Sequence, residues 1–383
     1  MRLTKDEVRC TWECDKKKDR RQIIIVIAAF VFVFLLCMCF RHLAYAYDDK
    51  FVPIYHLKVC FNEIKFFFAS IFDPVTYATK NDVIASMGGT EYYGSFAGRL
   101  ESTAMAAAAG AATAVAGAIF QAIYKNPMAT PGMLGATAGV RIGNIMMITL
   151  YSTQALAMIT RRYIYCYAAT AICVIVVLIL GRFAGDRRGN PSVMKMVMAG
   201  SIISQGLNVI IMYYMYELTD DDLVLYQNLT MGTDIQYDEL SLIIFFGAMA
   251  ISLIPMFLLR YKFNAVAMDY TEVTTSGVNQ GPIRMVGQVC GVIAVTASMI
   301  HCGDTGMIGM MIPYAVRNYV GANTKKVLVI SAAFGAMFLM ICRLITSFFM
   351  IDGEEIPVAF IMNIFMTPFF MIMMTKQRRG FEQ

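Results

Sequence analysis

The chain has 383 residues, 58% of them hydrophobic and 15% charged, with a formal net charge of +5. Soluble domains carry roughly 25% charged residues, so this composition excludes an ordinary globular enzyme or binding module and calls for counting membrane spans. No separate basic domain holds the positive balance, which reads as membrane topology and not as affinity for nucleic acid.

Residues 1–22 form a basic tail that ends in "KKKDRR" and a glutamine. Behind it, Ile23 to Phe40 is an unbroken run of 18 apolar residues. A secretory signal competes for this run, because "AYA" at Ala44 to Ala46 resembles a cleavage site. The run exceeds the usual ~7–15 residues, however, and Arg41 and His42 intervene before that site, so an uncleaved first span is predicted. Residues 48–98 are the longest non-spanning segment, and "VCFNEIKFFFASIF" within it reads as an interfacial helix, since Glu63 and Lys65 interrupt a stretch too short to cross.

Nine further runs follow, at 100–124, 132–151, 163–183, 196–216, 240–259, 285–302, 305–320, 327–350 and 356–375, for ten spans in all. The expected architecture is an all-α integral membrane domain over residues 23–383, with both termini on one side. Lys125, the group Arg182, Arg187, Arg188 and Lys195, then Arg260, Lys262, Arg284, Arg317, Lys325, Lys326 and Arg378 share the face of the basic tail, which is cytoplasmic by the positive-inside rule. Segments 217–239 and 351–356 carry only acids and belong to the opposite face. Arg161 and Arg162 break this pattern. Cys302 and Cys60 could both face outward, and the other cysteines within spans read as small hydrophobes.

The sequence lacks a P-loop, an H-E-x-x-H and a G-x-S-x-G, and its three histidines are scattered, so no catalytic or metal site is assigned. What remains is polar residues inside spans. In the fifth span, Ser201, Ser204, Gln205, Asn208, Met212 and Tyr216 follow the spacing of one helical face, which fits either a water-filled route or hydrogen-bonded helix packing. Asn363 and Thr367 are similar intrusions in the tenth span. Arg343 in the ninth lies close enough to the span's end to snorkel. The second span is nearly all Ala, Gly and Thr, which is close-packing chemistry. After it, "YKNPMATPGMLGATAG" (Tyr124 to Gly139) is an elbow: Pro127 and Pro131 disfavour helix, while Gly132 and Gly135 permit reversal.

The stretch Gly98 to Asn144 resembles the signature region of permease subunits of ABC importers for iron-siderophore complexes, haem and cobalamin. Arg99, Leu100, Gly117, Gln121, Asn126, Pro127, Ala129, Pro131, Gly132, Leu134 and Gly135 carry the match. A second match runs through Gly306, Ile308, Gly309, Pro313, Arg317, Gly335, Ala336, Glu355, Pro357, Pro368 and Phe370. The sequence departs from the pattern at Tyr314, where a histidine is usual, at Arg343, where an acid is usual, and at Asp269–Tyr270, where Gly-Glu is usual.

The resemblance implies the type II ABC importer permease fold, in which two copies or a homologous pair enclose one route. Cytosolic ATPase subunits would carry ATP and magnesium, a substrate-binding protein would dock on the outer face, and this chain would bind no cofactor. It places an inner gate at Asn126, Pro127 and Met128, facing Ser192 and Val193. Ser201, Ser204, Gln205, Asn208, Asn363 and Thr367 would line the pathway. Residues 260–284 would couple to the ATPase through Asp269, Tyr270, Glu272 and Gly277, and Arg99, Arg161 and Arg162 would grip the binding protein. The cargo implied is an iron chelate, with ferric siderophore ahead of haem or cobalamin. An ion-coupled secondary transporter and a membrane scaffold are the alternatives. The first would need a carboxylate near mid-membrane, and the central parts of the spans hold none.

Overall fold

The computed structural model describes residues 21, 23–38, 96–151, 159–183, 193–232, 239–266, 280–321, 323–351 and 354–381. A helix occupies each of the ten predicted positions. In chain order these and the shorter elements are α1 (Ile23–Met38), α2 (Phe96–Tyr124), a 3-10 turn (Pro131–Leu134), α3 (Ala136–Tyr151), α4 (Ile159–Phe183), α5 (Val193–Glu217), α6 (Asp220–Met231), α7 (Glu239–Leu258), α8 (Arg260–Val266), α9 (Gln280–Cys302), α10 (Gly306–Val320), α11 (Thr324–Thr346) and α12 (Val358–Phe381). Met350–Ile351 and Glu354–Glu355 pair as a minimal antiparallel hairpin, β1 and β2, ahead of α12. All of the predicted interfacial stretch, and all of the basic tail but Arg21, lie outside the described residues.

Among the described residues, five helices are both long and apolar enough to cross a bilayer on length and composition alone, and α1 and the first part of α12 are shorter apolar helices. The chain is therefore a multi-pass membrane protein.

The Ala/Gly/Thr-rich α2 is the axis of the fold, packed on α11, α9 and α10. At Gly110 against Gly335, and at Gly117 against Gly309, the backbones meet so closely that a Cβ on Gly110 or Gly117 would overlap a main-chain carbonyl. Small residues permit that approach and gain dispersion along the whole contact. The apolar faces of α9 and α11 close over α2, with Phe120, Ile119, Met299, Ile300 and Leu339 in the core. A second, smaller core gathers Ile145 and Ile148 of α3, Ile211 of α5, and Tyr226 and Leu229 of α6.

The acidic segment after α5 is not a plain outer loop. Thr219 Oγ1 accepts the Asp222 N–H, and three aspartates fill the first turn of α6, a favourable arrangement at a helix N-terminus. The end of α6 then meets the turn after α9: Gly232 lies against the Cys302 carbonyl, and Asp304 N–H donates to Thr230 O at 3.1 Å.

That turn lies deep in the fold. Thr305 Oγ1 is 3.2 Å from Thr113 Oγ1, and Thr113 precedes the end of α2 by about 16 Å of helix, half of the ~30 Å apolar core. The expectation that Cys302 faces outward is corrected accordingly: it is buried in this layer, with Arg343 Nη1 donating to its sulfur at 3.8 Å. Cys60 lies outside the described residues.

Candidate functional site

The elbow is built as its composition requires. Lys125 takes a left-handed φ of 50° and ends α2, since Pro127 cannot continue it. Asn126 then folds the chain over itself: its Oδ1 accepts the Met128 N–H at 2.9 Å and its carbonyl accepts the Ala129 N–H at 3.1 Å. The 3-10 turn opens on Pro131, and Gly135, at φ 82°, closes it and starts α3. Gly200 of α5 abuts the Met133 carbonyl, so α5 leans on this turn.

Asn126, Pro127 and Met128 share a cavity of about 190 Å³ with Met310, Met311 and Tyr314 of α10 and Phe370 of α12. Pro127 and Met128 are exposed, and Asn126 is half-buried. The two motif regions are tied together beside this cavity. Gln121 Nε2 donates to Met310 O at 2.9 Å, Arg317 Nε donates to Gln121 Oε1 at 3.2 Å, and Arg317 Nη2 donates to Ala118 O at 2.8 Å. Gln121 and Arg317 thus clasp the end of α2 to α10, which gives two residues known only as pattern matches a physical task. Val193 opens α5 and Ser192 lies outside the described residues, so their pairing with the elbow stays a proposal.

The polar stripe of α5 points away from the packed body. Ser201, Gln205, Met212 and Tyr216 are exposed and Ser204 and Asn208 half-buried, whereas Ile211 enters the core. The Ser201 hydroxyl donates to its own helix at Met198 O, 2.9 Å away. Asn363 and Thr367 are likewise exposed on α12. These residues therefore occupy open faces of the single chain.

Of the arginines expected at a docking surface, Arg161 is exposed, and its guanidinium stacks 5.6 Å from the Tyr151 ring centre. Arg99 lies near the start of α2. Arg162 corrects the expectation. It is 0% exposed, with Nε donating to Asn144 Oδ1 and Nη2 to Leu229 O, each at 2.8 Å. Its fork joins α3 and α4 to α6 and cannot reach a docked protein.

Arg343 is also buried and does not snorkel. Nearby, the Tyr163 hydroxyl is hydrogen-bonded to His301 Nε2 and donates to Ser241 O at 3.1 Å, with the imidazole against the Phe245 ring. Arg162, Arg343, His301 and Tyr163 thus form an internal polar layer, a structural use that sequence spacing did not reveal. Among the described residues no group of three or more His, Cys, Asp or Glu side chains is placed to hold a metal.

Asp269, Tyr270, Glu272 and Gly277 lie outside the described residues. The helix leading to them, α8, is anchored to α11: Asn264 Oδ1 accepts the Thr324 N–H at 3.1 Å, and the Lys325 ammonium lies 4.8 Å from the Tyr261 ring centre. A hydrogen bond from Lys325, then one from Arg260, holds the Tyr261 hydroxyl below its ordinary pKa.

A central close-packed helix with an elbow cavity at its end, within a body of apolar helices, gives the described residues the architecture of a multi-span membrane protein. A solved ABC transporter assigned to the metal-chelate type, in an inward-facing conformation, matches with a TM-score of 0.67 at 18% identity, covering 92% of this chain and 99% of its own. The chain matches the model of the FecCD transport family over residues 59–376 and belongs to that family. A Helicobacter pylori relative, "Probable iron chelatin transport system permease protein", is 25% identical over 283 residues, covering 73% of this chain and 82% of its own length. A Bacillus subtilis relative, "Probable siderophore transport system permease protein YfiZ", is 29% identical over 294 residues, covering 74% and 81%.

Proposed function

We propose that this chain is the membrane-spanning subunit of an ATP-driven importer that moves an iron chelate, a ferric siderophore, into the cytoplasm. The observation that carries this reading is the elbow: Asn126, Pro127 and Met128 cap a cavity whose far wall, on α10, is tied to α2 by Gln121 and Arg317. Movement of the elbow, whose Pro127 and Met128 are exposed, would open or close that cavity while α2 and α10 stay clasped, as a gate between two packings requires.

In this reading Ser192 and Val193 close the gate from the other side. Ser201, Ser204, Gln205, Asn208, Asn363 and Thr367 line the route between this permease and a second copy or homologue. ATP and magnesium sit on cytosolic ATPase subunits that press on Asp269, Tyr270, Glu272 and Gly277. The extracytoplasmic binding protein docks on Arg99 and Arg161, whose guanidinium groups suit carboxylate partners. Both termini are cytoplasmic, residues 48–98 are extracytoplasmic, and this chain contributes no catalytic group.

Co-reconstitution of the chain with its ATPase and binding protein in liposomes tests the proposal. Iron-siderophore accumulation should require ATP and stop when the ATPase is hydrolysis-dead. Accumulation that persists with the dead ATPase would overturn it and favour an ion-coupled carrier.

A further inference from the structure

Arg141 and Asp304 are not among the matched motif residues named above, yet they form an ion pair beside the middle of α2. Arg141 Nη2 donates to Asp304 Oδ2 at 2.9 Å. The other carboxylate oxygen, Oδ1, accepts the Gly306 N–H at 3.1 Å, and the Asp304 N–H is held by Thr230 O. The neighbouring Thr305–Thr113 hydrogen bond places the pair beside the middle of α2, about 16 Å of helix from its end and so at mid-span if α2 crosses the ~30 Å apolar core.

Exposure separates this pair from the other charges of the layer. Arg162 and Arg343 are 0% and 2% exposed, whereas the side chains of Arg141 and Asp304 are 35% and 31% exposed. Charges at such depth persist where they face protein or water and not acyl chains. Each face of the pair has a different capacity. Both Asp304 oxygens are already engaged, so a cation finds little there. The Asp304 bond occupies Nη2 of Arg141 and leaves Nη1 for another acceptor. Thr137, one turn earlier on α3, brings its methyl toward the same spot, 3.9 Å from where a Gly306 side chain would begin. Gly306 itself keeps the site open.

We infer that Arg141 is a cargo-contacting residue of the translocation route, offering guanidinium N–H groups to the oxygen atoms of an anionic chelate, and that Asp304 is its positioning residue. The inference rests on the importer reading and narrows its cargo to oxygen-rich complexes of net negative charge. A fork anchored on one side by a carboxylate loses little freedom when it engages a passing oxyanion.

The test uses the full complex of permease, ATPase and binding protein in liposomes. First, T137C is exposed to a membrane-impermeant thiol reagent with and without a ferric triscatecholate. Labelling that the chelate slows is expected. No labelling from either side in any nucleotide state would overturn the inference, because the pair would then face protein or lipid.

Second, uptake of the ferric triscatecholate is compared among wild type, R141K, R141M and the swap R141D/D304R, each checked for monodisperse elution. Uptake should fall at least about tenfold in R141M and in the swap, and R141K should keep most of it. Uptake at the wild-type rate in R141M would overturn the inference, because a cargo contact through the guanidinium is lost with it. A wild-type complex that moves no ferric chelate would overturn the importer reading and this inference together, so the two failures are distinguishable.

Discussion

Alanine at Gly117 places a methyl group on the carbonyl of Gly309, 2.7 Å from its Cα, with main-chain atoms as the obstacle. No rotamer change relieves a backbone clash, so α2 and α10 must part. Overpacking of this kind costs about 1–3 kcal/mol. Parting the helices also strains the bonds from Gln121 to Met310 O and from Arg317 to Ala118 O. The latter is charge-assisted and contributes roughly 1.5–3 kcal/mol. Alanine returns at most about 1 kcal/mol of helix propensity. The net expectation for Gly117→Ala is a loss of about 2–4 kcal/mol.

Gly247 on α7 supplies the control, since nothing lies within 4 Å of a Cβ placed there. Thermal unfolding of the detergent-purified protein should show Gly117→Ala well below wild type and Gly247→Ala equal to it or slightly above. A Gly117→Ala midpoint indistinguishable from wild type would refute the close-packed axis.

Arg162→Met should destabilise the protein by about 1–3 kcal/mol for each acceptor it orphans, seen as a lower unfolding midpoint. Arg161→Ala should leave that midpoint unchanged and weaken binding-protein docking in a salt-dependent way in a pull-down titration. Asn126→Ala with Met128→Ala should raise passive leak of a ferric siderophore from liposomes and lower ATP-coupled accumulation. Gln121→Leu removes one bond to Met310 O and one from Arg317, and should cost about 1–3 kcal/mol in the same unfolding assay.

The helices were legible in the sequence because apolar run length reports directly on spanning, and the nine spans after the first meet helices near their expected limits, while the end of the first lies outside the described residues. The elbow was legible because Pro127, Pro131, Gly132 and Gly135 act through local backbone geometry. Depth was not legible. Hydropathy gives the ends of α9 and α10 but cannot say that their joining turn is drawn inward by Thr305 to Thr113 and by Asp304 to Thr230. Asp304 therefore looked like a loop residue, and a mid-membrane carboxylate went unseen even though Arg141 stands out in an apolar run.

For the same reason Arg162 was assigned to the surface beside Arg161. Two adjacent arginines on a helix point about 100° apart, and only the acceptors on Asn144 and Leu229 decide which one turns inward. The helix α6 left a readable signal in "TDDD", a cap followed by acids, within a segment otherwise taken as an acidic loop.

The most direct test of the importer account is accumulation of a labelled ferric siderophore in liposomes that hold this permease with its ATPase and binding protein. The account predicts uptake that depends on ATP hydrolysis and on the binding protein, and that becomes leaky in the Asn126→Ala, Met128→Ala variant. Uptake that proceeds unchanged with a hydrolysis-dead ATPase would contradict it.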